Sequence, residues 1–260
     1  MPARNYAFLD HRFVAMAHRG GWLSPGDAPR ENTAYAFRRA VELGYAYVET
    51  DVHTTADGVL LAFHDDVLDR VTDATGLVSA RSWSELAGVR IGGIDPIPRF
   101  ADLLEEFPHT RFNIDLKDAG SVRPLASILS RLHAEDRVCV GSFSGARLKA
   151  FRRLAPGVLT ASTPRAVVWA THAFGLRRLF VDAGSALQIP QRDPGAPLTL
   201  VRADVVKLSH ATGRVVHVWT VNDEDEMHRL IDLGIDGLVS DNITTLKRVL
   251  LERGLWEGER

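Results

Sequence analysis

The stretch Tyr47-Val48-Glu49-Thr50-Asp51-Val52 sorts its side chains onto two faces. Side chains alternate along a strand, so residues two apart point the same way. Val48, Thr50 and Val52 make one face, suited to lie under a helix, while Glu49 and Asp51 put two carboxylates on the other. Residues 111–117 repeat the division, with Phe112, Ile114 and Leu116 on one side and Asn113, Asp115 and Lys117 on the other.

Working outward, short apolar runs at 13–17, 46–52, 111–116, 137–140, 158–161, 179–181, 215–221 and 237–240 read as strands. Helix-patterned segments fall between them, most clearly at 34–43, 122–132, 145–154, 224–233 and 243–251. Strand–helix alternation predicts an α/β chain with a parallel sheet, and eight strands predict closure into a TIM (β/α)8 barrel. An open doubly wound sheet is the alternative, but no glycine-rich dinucleotide fingerprint follows the first strand. In a barrel, Glu49, Asp51, Asp115 and Lys117 point inward at the C-terminal ends of their strands, where barrel active sites are built.

The alternation breaks twice. Between 54 and 98, the turn signals Ala56-Asp57-Gly58, Gly92-Gly93 and Asp95-Pro96 surround one short apolar run, 59–63. That stretch is too long for a simple connection and reads as a small inserted subdomain after the second strand. Segment 188–197 is rich in proline and reads as a loop. With no repeat or interdomain linker, residues 1–260 are expected to form a single barrel domain carrying an insertion at about 54–98.

The 260 residues are 45% hydrophobic and 25% charged, values ordinary for a globular chain and suited to one α/β barrel rather than two small domains. A net charge of −2 supplies no global field for nucleic acid. No apolar run approaches the ~20 residues that span a bilayer, so stable membrane insertion is not expected. The first residues carry scattered charges and no uninterrupted apolar core; a signal peptide is not read, and a cytoplasmic location is expected. The single cysteine, Cys139, excludes an internal disulfide, and Val138-Cys139-Val140 reads as burying an inert thiol.

Three carboxylates in one barrel mouth repel each other unless positive charge stands among them. Two readings are open. An oxygen-only set, Glu49, Asp51 and Asp115, favours one hard divalent cation, Mg²⁺ or Ca²⁺. Alternatively, Lys117 and Arg19 satisfy the acids as salt bridges. His18 ends the first strand before Arg19-Gly20-Gly21, and His64 ends the run 59–63 before Asp65. Imidazole titrates near neutrality, so such a pair can supply a general acid and a general base. His53 and His217 share the inward parity of their strands and stand as supporting candidates.

Arg19 offers planar paired donors to a phosphate and Lys117 a point charge to the same oxyanion; neutralising a neighbouring acid is the other role open to each. Asn32 reads as the N-cap of the helix that follows, leaving Glu31 either to cap or to support the site. Phe143 and Trp219 offer an apolar wall for a substrate's carbon skeleton, or simply fill the barrel.

Together, His18-Arg19-Gly20, Glu31-Asn32-Thr33, Glu49-Thr50-Asp51, Asp57-Gly58, His64-Asp65, Arg70-Val71-Thr72, Asp115-Leu116-Lys117, Trp219-Thr220-Val221-Asn222 and Gly234-Ile235-Asp236-Gly237…Ser240-Asp241 resemble the glycerophosphodiester phosphodiesterase family. The order and spacing of the motifs carry the resemblance over nearly the whole chain. It implies a TIM barrel with an insertion after the second strand and a metal held by Glu49, Asp51 and Asp115. It implies His18 and His64 as the acid–base pair, Arg19 and Lys117 on the phosphate, and a small-molecule glycerophosphodiester cleaved to glycerol 3-phosphate and an alcohol. The chain departs from the family pattern at Asp115, where glutamate is commoner and the carboxylate reaches one methylene further. Segment 22–30 is also longer than usual. Lysophospholipase D activity is the nearer alternative and a non-catalytic phosphate-binding barrel the farther one; headgroup, metal and oligomeric state stay open.

Overall fold

A computed structural model gives the fold and describes residues 3–172, 183–191 and 200–258. Strand and helix alternate as β1 (Val14–Trp22), α1 (Ala34–Glu42), β2 (Tyr47–Thr54), β3 (Leu60–Ala62), α2 (Trp83–Leu86), β4 (Arg90–Ile91), β5 (Asp95–Pro96), α3 (Phe100–Glu106) and β6 (Arg111–Leu116). The chain continues through α4 (Val122–Arg131), β7 (Val138–Gly141), α5 (Gly145–Leu154), β8 (Leu159–Thr160), α6 (Pro164–His172), β9 (Ala186–Pro190), α7 (Ala203–Ala211), β10 (Val215–Trp219), α8 (Glu224–Asp232), β11 (Gly237–Asn242) and α9 (Ile243–Glu252).

The barrel path runs β8-β7-β6-β2-β1-β11-β10-β9, and a parallel bridge between Ala161 and Ala186 joins its two ends. The predicted TIM barrel is thus the observed one. Strand parity decides its layers. Val48, Val52, Phe112, Ile114 and Leu116 face outward and bury against helix residues such as Phe37, Leu125, Leu129 and Leu246. Inside, the lower barrel is filled by Val14, Met16, Tyr47, Cys139, Leu159, Val215 and Val239, and Phe8 and Leu9 from the N-terminal segment close its base. Cys139 is fully buried, and burial pushes its thiol pKa well up, as expected of an inert thiol.

Three local expectations need correction. The predicted strand 179–181 lies outside the described residues and is left as it stands; among the described residues, β9 lies between β8 and β10 and overlaps the segment read as a loop. Ala186, Leu187 and Ile189 are buried there, and Gln188 points inward to donate to Asn113 Oδ1 at 2.8 Å. A polar residue satisfied inside the barrel interrupted the apolar run, and Pro190 at the strand end completed the appearance of a loop. Second, the N-cap of α1 is Thr33, whose hydroxyl accepts from the Ala36 N–H at 3.1 Å, and not Asn32. Third, β1 extends beyond residue 17 to Trp22 through a register shift against β11.

Residues 55–99 add β3 antiparallel to β2, with Val52 opposite Ala62, followed by short elements gathered around Leu61, Phe63, Leu68, Val78, Leu86 and Ile97. No helix among the described residues is long and apolar enough to cross a membrane.

Candidate active site

The register shift within β1 brings two adjacent side chains to one space. In a regular strand His18 and Arg19 would face opposite sides. Arg19 adopts φ 52°, and Gly20 and Gly21 follow with φ 89° and 67°, so the chain bulges between Ala17 and Trp22 before it pairs with β11 again. Both glycines also permit close approach: a Cβ at Gly20 would lie 2.6 Å from the Ala36 Cβ, and one at Gly21 would lie 2.3 Å from the Ile243 Cγ2. The segment before Glu31 forms a 3-10 turn, Pro25–Arg30, pinned by Arg30 to Asp95 at 2.5 and 2.9 Å.

Parity places Glu49 beside Asn113 and Asp51 beside Asp115 in register across β2 and β6. Lys117 Nζ stands 2.8 Å from both Asp51 and Asp115, and Arg19 Nε stands 3.0 Å from Asp51. Glu49 accepts from the Arg19 backbone N–H at 3.1 Å and lies 3.8 Å from His18 Nε2. Burial, reinforced by the charge of Asp51, pushes Glu49 up to about 7. Burial likewise lifts Asp115 above the usual carboxylate range despite Lys117. Asp51 meets the same burial, but Lys117 and Arg19 outweigh it and hold its carboxyl low.

Each histidine is oriented by a carboxylate. His18 Nδ1 lies 2.6 Å from Asp241 Oδ1, and Asn222 Nδ2 donates to the other Asp241 oxygen at 2.8 Å. His64 Nδ1 is hydrogen-bonded to Asp65. With Nδ1–H engaged, Nε2 is the nitrogen left for substrate in both rings. Their environments differ. Burial opposes a charge on His18, but the bond to Asp241 and the charges of Glu49 and Asp241 raise its pKa above the ordinary value. Burial lowers that of His64, and Arg19 and Lys117 push the same way.

These groups line one cavity of about 350 Å³, together with Phe143, Ala161, Pro164, Val167, Val168, Pro190, Leu200 and Trp219 on a largely apolar side. Phe143 and Trp219 meet edge to face at 5.7 Å, and Lys117 Nζ lies 5.6 Å over the Phe143 ring. Phe143 is 65% exposed, so it forms a rim and does not fill the barrel. The structure therefore gathers His18, Arg19, Glu49, Asp51, His64, Asp115, Lys117, Phe143 and Trp219 around one space. Glu31 stands behind them, its Oε1 accepting from Arg19 Nη1 at 3.0 Å.

The sequence pattern of the glycerophosphoryl diester phosphodiesterase family matches residues 18–245. The chain belongs to that family. With it the chain takes its place among the phosphoric diester hydrolases. It is 37% identical over 252 residues to a probable glycerophosphodiester phosphodiesterase of Mycobacterium tuberculosis, covering 94% of this chain and 93% of that one. It is 26% identical to a human lysophospholipase D, covering 92% and 87%. Among solved structures, it resembles an Oleispira antarctica phosphodiesterase in complex with the product sn-glycerol-3-phosphate. The match has a TM-score of 0.78 and 25% identity over 96% of this chain and 99% of that one.

Several groups around this hydrolase's candidate site received no site role from the sequence. Asp241 shares the inward parity of Val239 on β11, a signal strand alternation already carried. Asn32 adopts φ 58° and reaches back to the strand: its Nδ2 donates to Asp51 at 3.1 Å and its Oδ1 accepts from Thr50 Oγ1 at 2.7 Å. No periodicity announces that contact. His53 spans the His64 carbonyl at 3.1 Å and Asp118 at 3.2 Å, behind the pocket, whereas His217 is fully buried in the barrel. Outside the pocket, ligand atoms of Glu224, His228 and Glu252 lie within 4.8 Å of one another, with Arg248 already on both oxygens of Glu224.

Proposed function

We propose that this hydrolase cleaves glycerophosphodiesters to glycerol 3-phosphate and an alcohol, with His18 and His64 as the acid–base pair and one divalent cation, Mg²⁺ or Ca²⁺, held by Glu49, Asp51 and Asp115. The observation that carries the reading is the convergence of two carboxylate-oriented imidazoles, three acids (two of them buried) and two cationic side chains on one cavity.

The donor set fits a hard cation, because every candidate ligand atom is a carboxylate oxygen. Lys117 lodges between Asp51 and Asp115, and Glu49 is lifted to about 7, so the acids draw positive charge beyond what Arg19 and Lys117 supply. When bound, the cation neutralises charge that develops on the phosphoryl oxygens.

The opposed pKa directions of the histidines support a division of roles between them. His64, lowered, takes the proton from the glycerol 2-hydroxyl, whose oxygen attacks phosphorus and forms a cyclic phosphate. His18, raised, gives its proton to the departing alcohol oxygen as the phosphorus–oxygen bond breaks. Water then opens the ring, with the two proton transfers reversed. Arg19 offers a planar fork and Lys117 a point charge to the phosphoryl oxygens. Phe143 and Trp219 flank the carbon skeleton.

The test is release of glycerol 3-phosphate from a panel of glycerophosphodiesters, after EDTA treatment and again with Mg²⁺ or Ca²⁺ restored. Metal-restored turnover is expected; no metal-dependent hydrolysis across the panel rejects the reading. The apolar side of the cavity, Val167, Val168, Pro190 and Leu200, favours a second reading in which the substrate is a lysophospholipid. Relative turnover of lysophosphatidylcholine and glycerophosphocholine separates the two.

A further inference from the structure

The segment 55–99 sends one cation toward the site to which the reaction scheme gives no role. Arg70 does not line the cavity among the described residues, yet it stands between two carboxylates that each serve it. Its Nε donates to Asp65 Oδ2 at 2.6 Å and its Nη2 to Asp65 Oδ1 at 3.2 Å. Its Nη1 and Nη2 donate to Glu31 Oε2 and Oε1 at 3.1 and 2.6 Å. Asp65 in turn holds His64 Nδ1, and Glu31 holds Arg19 Nη1.

A single exposed ion pair contributes little. The arrangement here differs in kind, because one planar guanidinium fixes two carboxylates in register and each carboxylate fixes a group facing the phosphate. The links cross the fold: Glu31 precedes α1 on the barrel, whereas His64, Asp65 and Arg70 follow β3. Without the fork, the Asp65 carboxylate is free to turn from the imidazole, and the imidazole is free to change tautomer or swing.

We propose that Arg70 is a positioning residue for the reaction: through Asp65 it holds the His64 ring with Nε2 turned to the cavity, and through Glu31 it fixes that loop against the Arg19 turn. The proposal rests on His64 serving as an acid–base group. Arg70 also keeps Asp65 ionised: burial works against that charge, but the Arg70 and His64 bonds outweigh it and bring the carboxyl down to about 2.

The experiment measures kcat, KM and Tm for R70A, R70K, H64A and the R70A/H64A double variant on the metal-restored enzyme with glycerophosphocholine. R70A is expected to lose about 10–100-fold in kcat, with KM changed by less than about threefold, the scale seen when a group orienting a functional imidazole is removed. Guanidinium at non-denaturing concentration is expected to restore part of the R70A rate and none of the H64A rate. Adding R70A to H64A is expected to cost much less than R70A alone, since no ring remains to be oriented. Wild-type kcat in R70A, or an equal loss on both backgrounds, overturns the proposal. Should R70A fail to fold, R70K decides: it keeps the charge without the fork, and a folded R70K at full rate also overturns it. Undiminished activity in H64A is a separate result that sinks the acid–base reading itself.

Discussion

The lower and upper halves of the barrel interior come from the same strands and the same parity, yet they are opposites. Below, Met16, Tyr47, Cys139 and Val239 fill the space with apolar surface, and the Tyr47 hydroxyl is satisfied by the Phe8 carbonyl at 2.8 Å. Above, the next inward residues are His18, Glu49, Asp51, Asp115 and Asp241, four acids and an imidazole in buried or half-buried positions that burial alone disfavours. The lower half holds the barrel together, and the upper half gives up part of that stability to gather the groups of the proposed chemistry. Mutations should therefore separate cleanly by height: damage below costs folding, damage above costs turnover.

The strongest test of that division is H18A or H64A. Each is expected to lose about 10²–10⁴-fold in kcat, the contribution of a general acid or base, with Tm little changed. A steady-state assay beside a thermal melt checks both halves of the statement, and a large fall in Tm would break the comparison. Next in size is M16A. Met16 is fully buried, so its truncation is expected to cost about 2–5 kcal/mol in urea unfolding while the folded fraction keeps its kcat.

E49Q sharpens the comparison from the opposite side. The folded pKa of Glu49 lies above its unfolded value, so the folded state binds the extra proton, and its stability falls as pH rises from the ordinary carboxylate range through about 7. In EDTA-treated protein, E49Q is expected to be the more stable above pH 7, by up to about 3 kcal/mol, and to melt with a flatter pH dependence. Ca²⁺ or Mg²⁺ should raise the Tm of the wild type at pH 8 and leave E49Q nearly unmoved; equal shifts would take Glu49 out of the ligand set. The smallest effect belongs to the rim. F143A is expected to change KM by less than about tenfold, because exposed Phe143 buries little area, and to leave Tm alone.

Legibility followed the same division. The inward acids on β2 and β6 were readable because strand alternation is rigid and the two segments repeat one pattern. The outward faces were readable for the same reason, since Val48, Val52, Phe112 and Ile114 do lie in the helix-covered layer. β9 was not readable: Gln188 interrupted the continuous apolar run expected of a barrel strand, and its bond to Asn113 across the barrel is what satisfies it as an interior residue. Asn32 was misread as a helix cap because local capping chemistry suits it equally well. Its contacts with Thr50 and Asp51 need a left-handed backbone and a strand 18–19 residues away.

The sequence by itself determined the barrel, the burial of its strands and the identity of the acids, histidines and cations at its mouth. Periodicity and motif order are local or one-dimensional, and they survive without coordinates. The tertiary structure alone decided that the bulge in β1 sets Arg19 beside His18, that Asp241 rather than a neighbour orients His18, and that Arg70 joins Asp65 to Glu31. Those contacts link residues up to 223 positions apart. Their geometry depends on how glycine turns and strand ends converge, and no spacing along the chain encodes that.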